Sequence, residues 1–319
     1  MTAVEHSQRA PCAIGIDVGG TKCAAGLVLF PDGRVLARRL QPTRPLRGGE
    51  AVLADVVEMA CSLQREAAAL GAQPTAVGLA VAELVGVAGQ VLSEATIRWR
   101  GVDVAAVLEA ATNLPLTLDA DVRAAARGEA QLGAGRSFQS FLYVTVGTGI
   151  SASLVIDRTP YAGARGLTGT FASSRGLIPS DDGRLAAGPA LEQFAAGPAL
   201  AARLAALQSG FGGTAFDVVA LAAAGDPPAR EIVSSAGNAL GAAIGQLVNV
   251  LDPEAVVIGG GLGMVGGLYR ETLEAAMRKH IWSELHRDLP LVSAELGNDA
   301  GFVGAAFGAC RCEVEGRQP

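Results

Sequence analysis

Aromatic and charged side chains are scarce in this sequence. Of its 319 residues 4% are aromatic and 18% are charged, whereas half are apolar and 42 are glycine. An apolar fraction of this size excludes an intrinsically disordered chain and predicts one or two packed globular domains. With few aromatic rings available, the core must consist of small and aliphatic side chains in close contact, which favours α/β layering over an aromatic-rich β-sandwich.

Positive charge is also in short supply, since 25 Lys and Arg residues are outnumbered by 31 Asp and Glu residues and the formal net charge is −6. No block of basic residues compensates locally, which argues against nucleic acids and anionic membranes as partners. Apolar runs fall short of the about 20 residues that span a bilayer, or contain polar side chains. Met1–Ala10 has charged residues and no continuous apolar stretch, which predicts a loose tail rather than a secretion signal.

Cysteine occurs five times, an odd number without the spacing of a disulfide framework. This usage is typical of a reducing compartment. Cys310 and Cys312 lie close together, but no histidine or further cysteine is near them in sequence, so we assign no metal there. The sequence therefore predicts a soluble cytoplasmic protein.

Two halves of the chain begin in the same way. In each half, a buried strand, a glycine turn, a second strand and a short third strand follow one another. The predicted strands are Ala13–Asp17, Cys23–Phe30 and Val35–Leu40 in the first half, and Phe141–Val146, Ile150–Ile156 and Thr159–Tyr161 in the second. This repetition predicts a duplicated α/β unit.

Helices and strands alternate after each opening. Apolar spacing and turn residues predict helices over Val52–Leu70, Val104–Ala111, Arg123–Leu132 and Asp226–Leu251, and strands over Ala76–Val81, Leu116–Leu118 and Ala255–Ile258. The Gly-, Ser- and Thr-rich stretch Gly163–Gly188 is predicted to be a loop over the cleft between the halves. We place the domains at residues 11–120, with 302–319 packing back on them, and at residues 121–301.

The first glycine turn carries polar groups suited to phosphate. Asp17-Val18-Gly19-Gly20-Thr21-Lys22 combines a closely approachable backbone with a carboxylate, a hydroxyl and an ammonium group. Alone, the turn is equally consistent with a tight hairpin that needs glycine. Gly147-Thr148-Gly149 occupies the equivalent place in the second half, and two such turns facing each other across a cleft favour a polyphosphate, and hence a nucleotide.

Familiar nucleotide motifs do not account for the chain. The P-loop string is missing, which excludes P-loop kinases. Gly261-x-Gly263-x-x-Gly266 matches the dinucleotide pattern, but too little chain follows it to complete a Rossmann domain. We interpret the cluster around Gly260 and Gly261 as a place where the backbone passes close to adenine or its ribose; helix capping is the alternative.

Asp121 is the candidate catalytic base. At the end of a predicted strand, its carboxylate would orient and deprotonate an acceptor hydroxyl for attack on a γ-phosphoryl group, with Mg²⁺ supplying charge stabilisation. A purely structural role as a helix cap is the alternative. Asp119 competes with it, since side chains two residues apart on a strand share a face.

At these residues the chain resembles the ROK family (repressors, open reading frames and kinases) of actin-like, hexokinase-like ATPases. Ile14–Lys22 resembles the first phosphate motif, Tyr143–Gly149 the second, Ala255–Gly263 the adenosine segment and Leu118–Glu129 the catalytic segment. The resemblance implies two actin-like (ribonuclease H-like) domains that close on MgATP and a sugar, in a homodimer. It places ATP and its phosphates on Asp17, Gly19, Gly20, Thr21, Lys22, Gly147, Thr148, Gly149, Gly260 and Gly261, and the base at Asp121.

The sugar pocket departs from the family's pattern. Where relatives carry polar groups, this chain has Thr96, Ala120, Leu167 and Thr170, and Glu192 is the one usual contact that persists. A site built around a hydroxyl discriminates strongly against analogues lacking it, so recognition of ordinary glucose is not expected. The family's zinc cluster is not expected either, because no Cys or His lies between Cys61 and His280.

These features predict an ATP-dependent kinase of a sugar or sugar derivative. Thr96, Thr170, Glu192 and Asp121 are the candidate contacts of the acceptor. The alternative is a catalytically weak or silent ROK-like protein that binds a nucleotide or sugar and has a regulatory or scaffold role. No helix-turn-helix segment precedes the first strand, which disfavours a DNA-binding repressor.

Overall fold

A computed structural model describes residues 10–179 and 185–315. The strands are β1 (Ala10–Val18), β2 (Lys22–Leu29), β3 (Val35–Pro42), β4 (Ala72–Val81), β5 (Leu116–Ala120), β6 (Phe141–Val146), β7 (Ile150–Ile156), β8 (Thr159–Pro160), β9 (Arg175–Pro179), β10 (Leu185–Ala190), β11 (Val256–Gly259) and β12 (Leu291–Ser293). The helices are α1 (Gly49–Ala67), α2 (Val104–Thr112), α3 (Asp121–Leu132), α4 (Glu192–Ala195), α5 (Gly197–Leu207), α6 (Ala215–Ala223), α7 (Pro227–Leu251), α8 (Leu268–His280), α9 (Glu284–Arg287) and α10 (Ala300–Glu315).

The described residues form two compact units. The first unit contains the described residues up to Gly133, Ala162–Leu167 and those from Asn298 onward, and the second contains Ala134–Tyr161 and Thr168–Gly297. The sequence-based division at residue 120 differs from this grouping chiefly in α3. That helix packs on α10, so it belongs with the first unit.

The first unit is built on a mixed sheet with strand order β3-β2-β1-β4-β5. The strands β1, β2 and β3 are antiparallel neighbours, whereas β1, β4 and β5 run parallel. Asp17 is in register with Ala80, and Val81 is in register with Ala120. The carboxyl ends of the three parallel strands therefore meet at one edge of the sheet.

The two faces of this sheet are covered by different helices. Alternate residues of β1, including Ile14 and Ile16, join the apolar core beneath α1. The opposite face is covered by α10, which packs on β1 and β4. A Cβ at Gly15 would lie 1.8 Å from the Phe302 carbonyl oxygen, and one at Gly78 would lie 2.0 Å from that of Ala305. Glycine is thus required for direct backbone contact.

The second unit repeats the same strand arrangement. Its sheet has the order β12-β11-β6-β7-β8, in which β6, β7 and β8 are antiparallel neighbours and β6, β11 and β12 run parallel. Read outward from β6, this order matches that of the first sheet read outward from β1. The predicted duplication and the predicted α/β class are therefore confirmed.

The small-residue face of α7 is used inside the unit. A Cβ at Gly237 or Gly241 would lie 2.1 Å from atoms of α8, and these two helices share the most extensive contact between any two described elements. The glycines on this face therefore let α7 and α8 pack closely against each other.

Part of the predicted loop Gly163–Gly188 forms a ribbon instead. β9 and β10 pair as antiparallel strands, with Leu185 opposite Pro179 and Ala186 opposite Ile178. Their Gly, Ala and Pro content gives little strand propensity, so the strands depend on backbone pairing that no local pattern reveals. Residues 180–184 and 316–319 lie outside the described residues, as do residues 1–9 of the predicted tail Met1–Ala10, whose last residue begins β1. No helix in the described part of the chain combines the length and apolarity needed to cross a membrane.

Candidate active site

The first glycine turn is held closed by backbone and side-chain hydrogen bonds. The Gly19 N–H donates to the Lys22 carbonyl oxygen at 3.0 Å, and the Thr43 N–H donates to the Thr21 carbonyl oxygen at 3.0 Å. The buried Thr43 hydroxyl donates to the Gly19 carbonyl oxygen at 2.6 Å. The Lys22 ammonium group donates to the side chain of Asn298, just before α10. The turn is therefore held by hydrogen bonds within itself, to Thr43 and to Asn298.

Thr96 lies against this turn. A Cβ at Gly20 would stand 2.9 Å from the Thr96 Cγ2 atom, so a side chain at this turn position would meet Thr96. Trp99 is fully buried, and its indole N–H donates to the Gly49 carbonyl oxygen at 2.8 Å. Trp99 therefore anchors the segment through packing, while Arg98 and Arg100 on either side of it are exposed.

Glu83, which the sequence analysis did not single out, organises the segment that carries Thr96. It follows β4 and is 6% exposed. Its carboxylate accepts hydrogen bonds from the backbone N–H groups of Ala95 at 3.0 Å, Thr96 at 2.5 Å and Ile97 at 2.7 Å, and from the Ser93 hydroxyl. The available signal was a lone acidic residue within a long apolar stretch, because such a residue is seldom buried unless its oxygens are all bonded.

Asp17 presents a buried oxygen that lacks a protein partner. Its Oδ1 atom is inaccessible to solvent and makes no hydrogen bond. Its Oδ2 atom would lie 2.1 Å from a Cβ at Gly301, at the first turn of α10, where the helix dipole favours negative charge. Burial raises the pKa of Asp17 to about 7, and the charge of Asp121 also raises it, whereas that of Lys22 lowers it. An oxygen of this kind suits a hard cation or its bound water.

Two carboxylates near the end of β5 differ in their surroundings. Asp119 accepts ion-pair hydrogen bonds from Arg123 at 2.6 Å and from Arg127 at 2.7 Å. Asp121 has no such pair; its Oδ1 atom accepts from the Val122 N–H at 2.7 Å. Burial raises the pKa of Asp121 to about 6, against the lowering effect of that N–H and of the charge of Arg123.

These contacts separate the two candidates for the base. Asp119 is committed to holding two arginines of α3, whereas Asp121 keeps a carboxylate oxygen without a strong partner. Asp121 also lies inside the first turn of α3, whose N-cap is Ala120, so it is not the helix cap. The geometry favours Asp121 for proton transfer.

The second glycine turn lies in the second unit and contacts Glu192. The Gly147 N–H donates to the Gly149 carbonyl oxygen at 2.9 Å, and the Gly197 N–H donates to the Gly147 carbonyl oxygen at 2.8 Å. A Cβ at Gly149 would lie 3.3 Å from the Glu192 Oε2 atom. The structure thus brings together Gly149 and Glu192, which are separated by the β9–β10 region in sequence.

A glycine bend after β11 wraps over the end of β6. Gly260 has φ +79°, and a Cβ there would lie 2.4 Å from the Val146 carbonyl oxygen. That oxygen accepts from the N–H groups of Leu262 at 3.0 Å and of Gly263 at 3.1 Å. Only glycine fits this bend. The next residue, Gly261, has no side chain and its backbone is exposed.

The predicted residues fall into two sets. Asp17, Gly19, Gly20, Thr21, Lys22, Thr96 and Asp121 lie in the first unit, and Gly147, Thr148, Gly149, Gly260, Gly261, Glu192 and Thr170 lie in the second. Ala120 is buried and Leu167 is 40% exposed; as alanine and leucine, they offer no polar side chain at these two positions. Within the described residues, no cluster of three or more His, Cys, Asp or Glu side chains is arranged to hold a metal ion.

Known proteins are similar to this chain over most of its length. The bifunctional enzyme NanE/NanK of Brucella melitensis is 32% identical over 301 residues, which cover 92% of this chain but 53% of that enzyme, so this chain spans about half its length. Glucokinase of Streptomyces coelicolor is 31% identical over 314 residues, covering 92% of this chain and 96% of the relative.

A solved structure shares the fold. The ROK family glucokinase from Streptomyces griseus, in complex with glucose and AMPPNP, superposes with a TM-score of 0.77 at 29% identity, covering 94% of this chain and 99% of that one. The model of the ROK family matches residues 13–310. This chain belongs to the ROK family.

Proposed function

We propose that this protein is an ATP-dependent kinase that transfers the γ-phosphoryl group to a hydroxyl of a sugar or sugar derivative. The observation that carries the proposal is the pair of acidic residues at one edge of the first sheet. Asp17 has a buried oxygen without a partner, and Asp121 has a carboxylate whose pKa is raised to about 6. Asp17 lies at the end of β1, next to the closed glycine turn, and Asp121 directly follows β5, which runs parallel to β1.

The residues fit ATP with Mg²⁺. The donor set at Asp17 is a carboxylate oxygen that no protein group satisfies, which suits a cation that takes one or two carboxylates and completes its shell with water and phosphates. When bound, Mg²⁺ would neutralise charge on the phosphate oxygens. The turn amides and the Lys22 ammonium group orient the phosphates, and in the second unit the Gly147–Gly149 turn offers further backbone amides.

The proton has a defined destination. The acceptor oxygen forms its bond to the γ-phosphorus as the bond to the ADP oxygen breaks, and the hydroxyl proton passes to Asp121. With a pKa of about 6, Asp121 is mostly ionised at neutral pH and still basic enough to accept that proton. The electron pair of the broken bond leaves on ADP.

The acceptor is held by fewer polar groups than a glucose site would need. Glu192 and Thr96 supply hydrogen bonds, and exposed Thr170 supplies a further hydroxyl. Ala120 and Leu167 contribute none. Because Arg98 and Arg100 are exposed around buried Trp99, the acceptor panel should include sugar phosphates and sugar acids as well as neutral and amino sugars.

A coupled ADP-release assay over that panel tests the proposal. We expect turnover on at least one acceptor, lost by at least a hundredfold in Asp121→Ala. The matched variant is Asp119→Asn, which keeps the size of the side chain beside Arg123 and should retain most of the activity. Turnover that survives Asp121→Ala would refute the role of this base.

A second candidate function rests on the apolar side chains at Ala120 and Leu167. They favour a catalytically silent protein that binds a nucleotide or sugar and regulates or scaffolds. Calorimetry distinguishes the two functions. Binding of AMPPNP without turnover on any acceptor would support the silent protein, and turnover would exclude it.

A further inference from the structure

One phenylalanine side chain is left in solvent. All nine phenylalanines lie within the described residues, and Phe216 alone among them is exposed, at 57%. It is the second residue of α6, while nearby Phe211 packs against the core of the second unit. Because the ring is exposed, it is available to contact a bound molecule.

The Phe216 ring borders the glycine bend. A Cβ at Gly261 would lie 3.3 Å from the Phe216 Cζ atom, and a Cβ at Gly147 would lie 4.0 Å from the Gly261 nitrogen. Ring, bend and second glycine turn are therefore consecutive neighbours within the second unit. If the phosphates of a nucleotide lie at the second glycine turn, its sugar and base extend along the glycine bend towards the Phe216 ring.

The start of α6 is rigidly held. The Thr214 N–H and hydroxyl donate to the Asp217 carboxylate at 2.6 and 2.8 Å, which forms a capping box around the helix start. A Cβ at Gly197 would lie 3.5 Å from the Ala215 Cβ atom. Gly197 donates to the second glycine turn, so the turn and the base of the Phe216 side chain are tied to the same segment.

We propose that Phe216 is the surface on which the base of the bound nucleoside triphosphate stacks, with the uncovered Gly261 backbone beside it. The inference rests on the proposed function and adds the residue that sets base preference. Stacking is sequence-tolerant because every base has a π-face, but a purine covers more of the ring than a pyrimidine does. The site therefore favours purine over pyrimidine triphosphates without selecting strongly between ATP and GTP.

Equilibrium binding without an acceptor tests this assignment. Calorimetry would give the Kd values of MgATP and MgUTP for the wild-type chain, Phe216→Ala, Phe216→Trp and the control Trp282→Ala. Trp282 is 86% exposed, so its removal matches the loss of an exposed ring away from the glycine bend. We expect Phe216→Ala to raise the Kd of ATP about five- to thirtyfold, which corresponds to about 1–2 kcal/mol at 1.4 kcal/mol per factor of ten.

The same variant should raise the Kd of UTP less than that of ATP, and Phe216→Trp should bind ATP as the wild type does. Because the ring is exposed, the unfolding midpoint of Phe216→Ala should stay within about 2 °C of that of Trp282→Ala. An ATP Kd within twofold of wild type in Phe216→Ala, or an equal rise for ATP and UTP, would overturn the inference while leaving the kinase proposal intact. A wild-type chain that binds neither triphosphate would instead refute the proposed function, and the stacking role with it.

Discussion

Replacing Glu83 with alanine tests whether this buried carboxylate holds the segment that carries Thr96. The substitution removes the acceptor of three backbone N–H groups and of the Ser93 hydroxyl. The Ile97 donor is buried and stays unsatisfied, at about 1–3 kcal/mol, whereas the donors of Ala95 and Thr96 recover part of their hydrogen bonding from water. We therefore expect a total loss of about 2–4 kcal/mol in the stability of the first unit.

Urea unfolding gives the loss in free energy, and hydrogen exchange of the amides at 95–97 locates it. Glu94→Ala is the matched control, because Glu94 lies exposed in the same segment and its replacement should change stability by less than about 0.5 kcal/mol. Glu83→Gln should fall between the two, since the amide keeps one acceptor oxygen. A Glu83→Ala protein with unchanged amide exchange at these positions would refute the reasoning.

Three further predictions concern the same unit. Because the pKa of Asp121 is raised to about 6, kcat/KM should fall about tenfold per pH unit below that value, and a profile that stays flat to pH 5 would contradict its role as base. The pKa of Asp17 is raised to about 7, so the folded state binds the proton more tightly than the unfolded state does. The folded state therefore loses stability as pH rises from about 4 to 7. In urea unfolding, Asp17→Asn should be more stable than the wild type at pH 8 and equally stable at pH 4, and a gain of the same size at both pH values would rule out this cause. Gly15→Ala places a Cβ 1.8 Å from the Phe302 carbonyl oxygen and should lower the free energy of unfolding by about 2–4 kcal/mol. Gly266→Ala is the control, because a Cβ there meets open space and should leave stability nearly unchanged. Equal effects of the two substitutions in thermal unfolding would disprove the close contact.

Local sequence patterns were sufficient to predict the strands and helices that are bounded by turn residues or a helix cap. Phe141–Val146 and Ile150–Ile156 begin and end where the sequence predicts, because apolar residues and flanking glycines fix both limits. The long helix α7 likewise starts directly after Asp226, whose side chain accepts from the Ala229 N–H at 2.9 Å. In contrast, the sequence analysis missed α5 and the β9–β10 ribbon. The Pro at the start of α5 and the spacing of Leu200 and Leu204 were an available helix signal, whereas the ribbon has none as clear.

For the candidate site, too, the sequence predicted some features and the structure was needed for others. Its glycine turns and acidic residues were visible as residue types at strand ends. The proposal of Asp121 rather than Asp119 as the base uses the structure, because Arg123 and Arg127 reach back from α3 to the Asp119 carboxylate. The sequence held part of this information, since Arg123 and Arg127 lie four residues apart and so share one face of α3. The binding of phosphate by each turn stays a prediction.

The first unit is assembled from distant parts of the chain, and this affects the order in which a ribosome can complete the protein. Its sheet is translated before the second unit, but the helix that covers one face of that sheet and abuts Asp17 is translated after the second unit. The second unit is finished before that helix leaves the exit tunnel. We expect nascent chains stalled before residue 298 to expose a bare sheet surface, to need chaperone protection and to lack the completed acidic edge.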